Sequence, residues 1–345
     1  MSDVVPIVLE GIVPDVFRVR SRLYSLDYAL ADTDKLQLGV PLRTVVELYG
    51  PKHSGKSSLA YYLAGMVRPT GNVILMDTES ALDTKFLEKA FAQAKFGGKI
   101  HVVDYGKKVR GKDEIVARTH AEMATELADT LILPDTNAIV LDSVAGYRST
   151  AEMEGVIGDA NMGRRARDIT QWSRRCLSHL IVHYDPPKMA LMVNHSLAGL
   201  ATQAGRYSPG GRGKGYASAF TTYMYRKDND YKHGCFHAEL IVEKHRWGGR
   251  TKESTAPVFV IPGMGISPDM TALLDCTKWG LATRGATVKV GDKSVGRIGT
   301  LVEAAMDGNS KKFEPFWEAL DEHERNTIDT AGVGDSGSTA GAEGG

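Results

Sequence analysis

The 345-residue sequence has few cysteines, no excess of either charge and no long hydrophobic run. Cys176, Cys235 and Cys276 are scattered and form no C-x-x-C pair, which argues against a disulfide framework and a cysteine zinc site and fits a reducing compartment. The longest apolar runs are far shorter than a membrane-spanning helix requires. The first residues lack the basic flank and cleavage pattern of a secretory signal, so we expect a cytoplasmic protein without a membrane partner.

Two groups of residues have spacings that metal ligands use, but both are weak signals. His233, Cys235 and His237 alternate as side chains on one strand face do, yet they lie in a stretch that contains glycine. His179 and His183 are one helical turn apart and lack the glutamate of an H-E-x-x-H motif. We expect structural roles for these residues.

Charge is balanced overall but unevenly distributed along the chain. Lys and Arg total 42, as do Asp and Glu, so the net charge neither favours nor excludes a nucleic-acid partner. Residues 186–227 contain no acidic residue, and an arginine cluster lies just upstream. The cations of these two segments are Arg164, Arg165, Arg167, Arg174, Arg175, Lys188, Arg206, Arg212, Lys214, Arg226 and Lys227.

The most specific motif is GPKHSGKSS, residues 50–58, which has the G-x-x-x-x-G-K-[ST] spacing of a phosphate-binding loop. Gly50 and Gly55 allow backbone conformations in which successive N–H groups converge on phosphate oxygens at a helix N-terminus. Lys56 would reach the β- and γ-phosphates, and Ser57 a magnesium ion. The residues predicted to bind nucleotide in this loop are Gly50, Pro51, Lys52, His53, Ser54, Gly55, Lys56, Ser57 and Ser58.

The flanking sequence favours a functional loop over an incidental glycine-rich one. Residues 44–49 (TVVELY) predict a buried strand that enters the loop, and residues 57–67 predict an apolar-faced helix that leaves it. Asp142 ends another apolar run, where it could share the magnesium ion, and Glu79 follows a third, where it could polarise the attacking water. Alone, each carboxylate would fit a helix cap or a solvated loop equally well. Together with the loop they predict hydrolysis of ATP.

Apolar strand-like runs alternate with helical patterns from about residue 35 to 268, which predicts an α/β fold with an open, mostly parallel twisted sheet flanked by helices. The sequence after this region predicts a helix, a polar hairpin and a second helix. The expected segments are an N-terminal oligomerisation arm with one small helix (1–30), an ATPase core (31–268), a small α+β C-terminal domain (269–325) and a disordered, acidic, Gly/Ser-rich tail (326–345).

Four segments, in this order, resemble the RecA family of DNA recombinases. They are LYSLDYALADTDKLQLGVPLRTVVELYGPKHSGKSSLA, DTESALDTKF, AIVLDSVAGYRSTAEMEGVIGDANMGRRARDITQ and SPGGRGKGYASAF. The resemblance runs from about Leu23 to the C-terminal domain and implies a RecA-like P-loop ATPase core. It also implies that Glu79 activates water, that Phe86 stacks on adenine and that Asp83 contacts the base. A place in the apolar core remains the alternative for Phe86.

In the family, the positions of Asn194 and His195 hold a residue that senses the γ-phosphate and signals to the second DNA-binding loop. Bacterial members carry glutamine there, whereas histidine is similar to phage recombinases of the UvsX type, as is VEKHR at residues 242–246. By that analogy Lys244 and Arg246 would reach the ATP of a neighbouring subunit. The alternative is that both are ordinary surface cations. Because the ordinary pKa of histidine lies near neutral pH, coupling between DNA and ATPase would change between about pH 6 and 7.5 if the protonation of His195 matters.

The resemblance places a first DNA-binding loop at residues 154–167 and a second at 195–214. Met162 would wedge between bases while arginines face phosphates. The implied DNA-binding residues are Met162, Arg164, Arg165, Arg167, Arg174, Arg206, Gly210, Gly211, Arg212 and Lys214. The second loop is short, Leu197 stands where bacterial relatives carry arginine, and the N-terminal arm is brief. Individual DNA contacts, filament contacts and bacterial partners therefore stay open.

The implied function is a DNA-dependent ATPase that forms filaments on single-stranded DNA and exchanges strands in recombination and repair. Its cofactors would be ATP and Mg²⁺. Its partners would be single- and double-stranded DNA, other copies of itself and possible loading or single-strand-binding proteins, in a bacterial cell or a phage-infected host. Two alternatives stay open: a ring-shaped DNA motor, and a non-catalytic mediator of recombination.

Overall fold

A computed structural model of the chain describes residues 16–31, 37–108, 115–154, 163–183, 185–196, 208–209, 212–228, 231–246 and 254–333. The strands of this part, in chain order, are β1 (Arg18–Val19), β2 (Val40–Pro41), β3 (Thr44–Gly50), β4 (Asn72–Asp77), β5 (Lys99–Val102), β6 (Gly106–Lys108), β7 (Ile115–Ala117), β8 (Thr136–Asp142), β9 (Met189–His195), β10 (Ser218–Asp228), β11 (Phe236–His245), β12 (Ser254–Ile261), β13 (Gly265–Ile266), β14 (Ala282–Arg284), β15 (Val288–Val290) and β16 (Lys293–Gly296).

The α-helices of the same part are α1 (Tyr24–Ala29), α2 (Lys56–Met66), α3 (Thr84–Gln93), α4 (His120–Asp129), α5 (Thr150–Glu154), α6 (Arg164–Val182), α7 (Arg212–Ala217), α8 (Pro268–Lys278), α9 (Ile298–Met306) and α10 (Glu314–Val333). Short 3-10 turns occupy Thr130–Ile132, Lys232–Gly234 and Ser310–Phe313. None of the described helices is both long enough and apolar enough to cross a lipid bilayer.

Nine of the described strands form one sheet, in the spatial order β13, β12, β11, β10, β3, β9, β8, β4, β5. The six strands from β10 to β5 are parallel to one another, and β11, β12 and β13 continue the sheet in antiparallel pairing. The α/β prediction with a mostly parallel sheet is confirmed. The run that forms β11 is antiparallel because the connection from β10 is too short for a parallel crossover.

Helices cover both faces of the sheet, as a parallel sheet requires. On one face, Leu59 and Leu63 of α2 pack into the same apolar core as Val46 and Leu48 of β3. On the other face, α4 and α6 pack on β8 and β9 in a second core, which includes Trp172. Strands that are buried on both sides read as continuous apolar runs, which explains why β3, β4, β8 and β9 could be predicted.

The parallel strands end at one edge of the sheet, and their register fixes which residues meet there. Gly50 at the end of β3 pairs with His195 at the end of β9. Asp142 at the end of β8 pairs with Val193 of β9 and with Asp77 of β4. Ligands of open α/β sheets bind at this carboxyl edge. The candidate catalytic residues therefore lie side by side although the sequence separates them.

The segment predicted to be an N-terminal arm is partly built into the core. Tyr24 and Leu26 of α1 are buried, and Tyr24 joins an apolar cluster with α8 and α10. In the C-terminal part, β15 and β16 form the polar hairpin that the sequence predicts. The last helix, α10, continues to Val333, whereas the tail was expected to begin at residue 326. Residues 1–15 and 334–345 lie outside the described part.

Candidate active site

Two glycines give the phosphate-binding loop its path. Gly50 has a φ of +155°, and a Cβ atom there would lie 2.0 Å from the carbonyl oxygen of Met224. Gly55 has a φ of +92° and immediately precedes α2. Both positions therefore exclude larger residues, and the loop leads directly into the N-terminus of α2. A helix N-terminus reached by such a loop favours anions, which fits a phosphate chain.

A cavity of about 390 Å³ opens over this loop. Its walls bring together residues from the loop and from the ends of three other strands, as the sequence predicts for a nucleotide site. The lining residues are Lys52, His53, Gly55, Lys56, Ser57, Ser58, Glu79, Asp142 and His195. We call this cavity the phosphate cleft. Gly50, Pro51 and Ser54 do not line it and instead form the backbone turn behind it, where Ser54 Oγ donates to the Pro51 carbonyl at 2.9 Å.

Lys56 is drawn into the protein at the base of the phosphate cleft. Its side chain is almost completely buried, and Nζ donates to the carbonyl oxygen of Pro51 at 2.5 Å. Burial lowers the pKa of Lys56 to about 8, against the attraction of Asp142 and Glu79. A cation held this way gains a stronger partner when an anion enters the cleft.

Ser57 and Asp142 supply oxygen atoms that could hold a magnesium ion. Tyr61 Oη donates to Asp142 Oδ2 at 2.7 Å, and Ser57 also hydrogen-bonds the Asp142 carboxylate. Burial raises the pKa of Asp142, and a cation placed beside it would reverse that effect. Hard oxygen donors of this kind match the preference of Mg²⁺, so the residues present fit the expected ion.

Glu79 is held in place by side chains from two neighbouring strand ends. Ser143 Oγ donates to Glu79 Oε1 at 2.6 Å, and His195 Nε2 lies 3.1 Å from the same oxygen. The hydrogen bond from Ser143, followed by that from His195, holds the pKa of Glu79 below its usual range. Asp77 shapes the turn by accepting from the backbone N–H of Glu79 at 2.9 Å and of Ala81 at 2.7 Å. Glu79 is therefore an oriented, ionised carboxylate.

Asn194 and His195 connect the phosphate cleft with the second predicted DNA loop. The backbone N–H of Ser196, next to His195, donates to the Gly50 carbonyl at 2.9 Å. Asn194 Nδ2 donates to Ser208 Oγ at 2.8 Å and to the Pro209 carbonyl at 2.6 Å. The tip of β9 thus contacts Glu79 and the phosphate loop on one side and the end of the second loop on the other.

The sequence profile of the RecA N-terminal domain matches residues 14–220, which include the whole phosphate cleft. The chain belongs to the RecA family. The Protein RecA of Geobacter sulfurreducens is 32% identical over 165 residues, which cover 47% of this chain and 42% of the relative. The Protein RecA of Gloeobacter violaceus is 34% identical over 165 residues, which cover 47% of this chain and 38% of the relative. These matches span about two fifths of the relatives' length. The Protein RecA of Aquifex aeolicus is 26% identical over 307 residues, covering 86% of this chain and 81% of the relative.

Two residues of this RecA-family chain that were predicted to contact adenine lie apart from the phosphate cleft. Asp83 is the N-cap of α3, and its Oδ1 accepts from the backbone N–H of Lys85 at 2.9 Å. Phe86 is half-buried against the core, with its ring centroid 6.2 Å from that of Tyr61. Neither residue lines the phosphate cleft, which would hold the phosphates and not the base, so their contact with adenine stays a prediction.

Lys244 and Arg246 lie far from the phosphate cleft of their own RecA-family subunit. Lys244 pairs with Thr221 of β10, which pairs with Glu47, three residues before Gly50. Three strand residues span about 10 Å, so this register places Lys244 about 10 Å from the level of Gly50 along the strand direction. Lys244 also lies two strands to the side of β3. Lys244 Nζ donates to the Ser218 carbonyl at 2.7 Å and to the Gly215 carbonyl, and Arg246 donates to the Tyr216 carbonyl.

The residues predicted to bind DNA fall into three groups. Arg164, Arg167 and Arg174 lie on the exposed part of α6, and half-buried Arg165 lies 3.5 Å from Glu152. Arg212 begins α7, whereas Lys214 of the same helix is buried against Glu47 and does not face solvent. Met162, Arg206, Gly210 and Gly211 lie outside the described residues.

A second cavity, of about 660 Å³, adjoins Glu79 on the side of the first predicted DNA loop. It is lined by Thr78, Glu79, Ser80, Tyr105, His120, Ala145, Gly146, Arg148, Met153 and Arg165. Glu79 therefore lines both this cavity and the phosphate cleft.

Three residues that hold the site together are not among those that the sequence predicts. Ser143 positions Glu79, and it could have been noticed as the hydroxyl that follows the strand-ending Asp142. Tyr61 holds Asp142 and lies one helical turn after Ser57, on the same face of α2. Glu47 is a carboxylate inside the apolar run of β3, where a charge demands a partner.

The weaker metal candidates have other contacts. His179 Nε2 lies 3.1 Å from Asp129 Oδ1, and Arg175 pairs with the same carboxylate. His233 has a φ of +59° within a 3-10 turn. Among the described residues, no group of three or more His, Cys, Asp or Glu side chains could hold a metal ion.

Proposed function

We propose that this chain is an ATP-dependent DNA strand-exchange recombinase that forms filaments on single-stranded DNA and acts in recombination and repair. The observation that carries the proposal is the convergence of Lys56, Ser57, Asp142 and Glu79 on one cleft whose His195 leads directly to the second predicted DNA loop. A phosphate loop alone would fit many nucleotide-binding proteins. A strand tip that contacts both Glu79 and the end of the second predicted DNA loop gives ATP a route to affect DNA binding.

In this proposal each residue of the phosphate cleft has a defined task. The loop backbone and the N-terminus of α2 bind the phosphate chain, and Lys56 leaves the Pro51 carbonyl to neutralise it. Glu79, kept ionised by Ser143 and His195, accepts a proton from water aligned for attack on the γ-phosphate. Ser57 and Asp142 would hold Mg²⁺, which neutralises charge on the phosphate oxygens.

His195 would report the state of the cleft to DNA. Its Nε2 contacts Glu79, while its neighbour Asn194 holds Ser208 and Pro209 at the end of the second loop. ATP can favour a DNA-binding filament only by binding that state more tightly than the inactive one. The resemblance of His195 and of VEKHR to phage recombinases of the UvsX type supports a close relationship to that group.

Lys244 and Arg246 would act on the ATP of a neighbouring subunit. Their distance from their own cleft along the sheet argues against a role there. A cation supplied across an interface would make hydrolysis depend on assembly, in the manner of an arginine finger. Residues 1–30 would serve as the arm that links subunits, although part of this segment packs on its own core.

DNA would contact the exposed arginines of α6 and the two predicted loops. Arg164, Arg167 and Arg174 are exposed and can face phosphates along a single strand. Binding of this kind depends strongly on salt and little on sequence. The cytoplasm of a bacterial cell, or of a phage-infected host, is the proposed location, with loading or single-strand-binding proteins as possible partners.

The proposal is tested by measuring ATP hydrolysis with and without single-stranded DNA, using Lys56→Ala and Glu79→Gln as variants. We expect DNA to stimulate hydrolysis by the unaltered protein, and we expect both variants to lose roughly a hundredfold or more of the activity. Unwinding of a forked duplex would instead indicate a ring-shaped motor. DNA binding without any Lys56-dependent hydrolysis would indicate a non-catalytic mediator, and either result would overturn the proposal.

A further inference from the structure

The strand that enters the phosphate loop carries a buried ion pair. Glu47 lies in the middle of β3, and Lys214 of α7 donates to its Oε1 atom. The side chains are 2% and 4% exposed, so water reaches neither charge. Burying either charge without the other would cost free energy at this depth. The ion pair therefore holds β3 and α7 together.

Two more side chains complete the network around this pair. Ser208 donates to Glu47 and accepts from Lys214 Nζ at 2.8 Å. Asn194 Nδ2 donates to Ser208 Oγ at 2.8 Å and lies 3.4 Å from Glu47 Oε1. The network therefore joins β3, the tip of β9, the segment 208–209 and α7 through one carboxylate.

We propose that Glu47 and Lys214 are positioning residues that couple the end of the second loop to the phosphate cleft. The proposal rests on the proposed function only in assigning residues 195–214 to DNA. Glu47 lies three residues before Gly50, and Asn194 directly precedes His195, which contacts Glu79. A displacement of α7 or Ser208 acts on both strands within three residues of the cleft. Buried, closely packed networks transmit such displacements because they have few alternative arrangements.

Helix α7 is also held from its other side. Lys244 donates to the carbonyls of Gly215 and Ser218, and Arg246 donates to that of Tyr216. The two cations proposed to act on a neighbour's ATP thus contact the same short helix that Lys214 ties to β3. A change at α7 consequently reaches the subunit's own cleft through Glu47. It also reaches Lys244 and Arg246, which are proposed to serve a neighbour, through the carbonyls that these two cations contact.

This assignment differs from direct DNA binding by Lys214, which the sequence suggested. A lysine that faces DNA phosphates contributes to the salt dependence of binding, whereas a buried positioning lysine does not. Direct binding also gives Glu47 no part, since a carboxylate repels phosphate. The two assignments therefore predict different outcomes for Glu47→Gln and Lys214→Met. The two variants should change DNA binding in the same way only if the residues act as a pair.

The first experiment follows hydrogen exchange of the amides in residues 212–218 with and without Mg²⁺ and ATP. In the unaltered protein we expect nucleotide to slow this exchange roughly tenfold and to protect the phosphate loop as well. In the double variant Glu47→Gln/Lys214→Met, which leaves no unpaired buried charge, protection of the phosphate loop should persist while the response at 212–218 disappears. Lys232→Met, which breaks an exposed pair with Glu303, is the control and should respond like the unaltered protein.

An unchanged response of residues 212–218 in the double variant would overturn the proposal, as would an unaltered protein in which nucleotide leaves these amides unaffected. The second readout is DNA binding at increasing salt, where Glu47→Gln and Lys214→Met should weaken binding alike and leave the slope unchanged. A slope reduced only in Lys214→Met would mean direct phosphate contact and would also overturn it. If DNA strand exchange failed while nucleotide still changed the hydrogen exchange of residues 212–218, the proposed function would be refuted and this coupling would still hold.

Discussion

His195 Nε2 lies 3.1 Å from Glu79 Oε1, across the end of β8, which lies between β9 and β4 in the sheet. Gly50 pairs with His195 in the sheet, so this contact joins the phosphate loop, the carboxylate proposed to activate water and the strand that leads to the second loop. A rotation of Glu79 toward a γ-phosphate would break or lengthen the contact. The presence of ATP can therefore be transmitted without any change in the strands themselves.

Replacement of Ser143 by alanine should move the acid limb of ATP hydrolysis to higher pH. The hydrogen bond from Ser143 is the largest contribution that lowers the pKa of Glu79. Without it the carboxylate protonates at a higher pH, and the fraction able to accept a proton falls earlier as pH decreases. The measurement is the rate of hydrolysis at saturating ATP between about pH 4 and 8. An acid limb at the same pH in both proteins would contradict the assignment of Glu79 as the base.

Nucleotide affinity should decrease as pH rises above about 8, the lowered pKa of Lys56. The free protein loses the Lys56 proton in this range, whereas a bound phosphate chain retains it, so binding takes up a proton. Linkage then predicts a loss of affinity that approaches tenfold for each pH unit. Equilibrium titration with a fluorescent ATP analogue measures this, and Lys56→Ala should bind weakly with no such dependence. Equal pH profiles for the two proteins would show that Lys56 does not contact the phosphates.

Tyr61→Phe should weaken magnesium binding in the presence of ATP by roughly tenfold. Tyr61 Oη orients the Asp142 carboxylate, and its loss leaves that carboxylate in a partly buried site with one donor fewer. Tyr62→Phe is a matched control because Tyr62 Oη donates to the Ser21 carbonyl at 2.7 Å and does not contact Asp142. The readout is the Mg²⁺ concentration that gives half-maximal hydrolysis. An equal shift in both variants would mean that general loss of packing is responsible.

Much of the fold could be predicted because the central strands are buried on both faces. The runs that form β3, β4, β8 and β9 are nearly continuous in apolar residues and end at polar or glycine positions. The sequence does not predict β10 (FTTYMYRKD at its end) or the Pro257-containing β12, because polar residues and proline interrupt their apolar patterns. The sequence also does not predict that α10 extends to Val333, because Gly and Thr lower the helix propensity there.

The site residues could be predicted where a short sequence segment contains them. They were harder to predict where a residue's partner comes from a distant part of the chain. Lys56, Ser57, Asp142 and Glu79 could be found from motif spacing and strand ends. The pairing of Lys214 with Glu47 joins residues more than 160 positions apart, and no local pattern distinguishes a buried lysine from one that faces DNA. Local composition also places Lys244 and Arg246 at the surface without indicating which subunit's ATP they would face.

The most direct test of the central claim is the yield of joint molecules between single-stranded DNA and duplex in the presence of ATP and Mg²⁺. Homologous duplex is compared with a duplex of the same length and base composition but unrelated order, and Lys56→Ala serves as the control for the phosphate cleft. We predict joint molecules only with homologous duplex, only with ATP and not with Lys56→Ala. Equal yields from both duplexes, or no joint molecules despite ATP hydrolysis stimulated by DNA, would contradict the account.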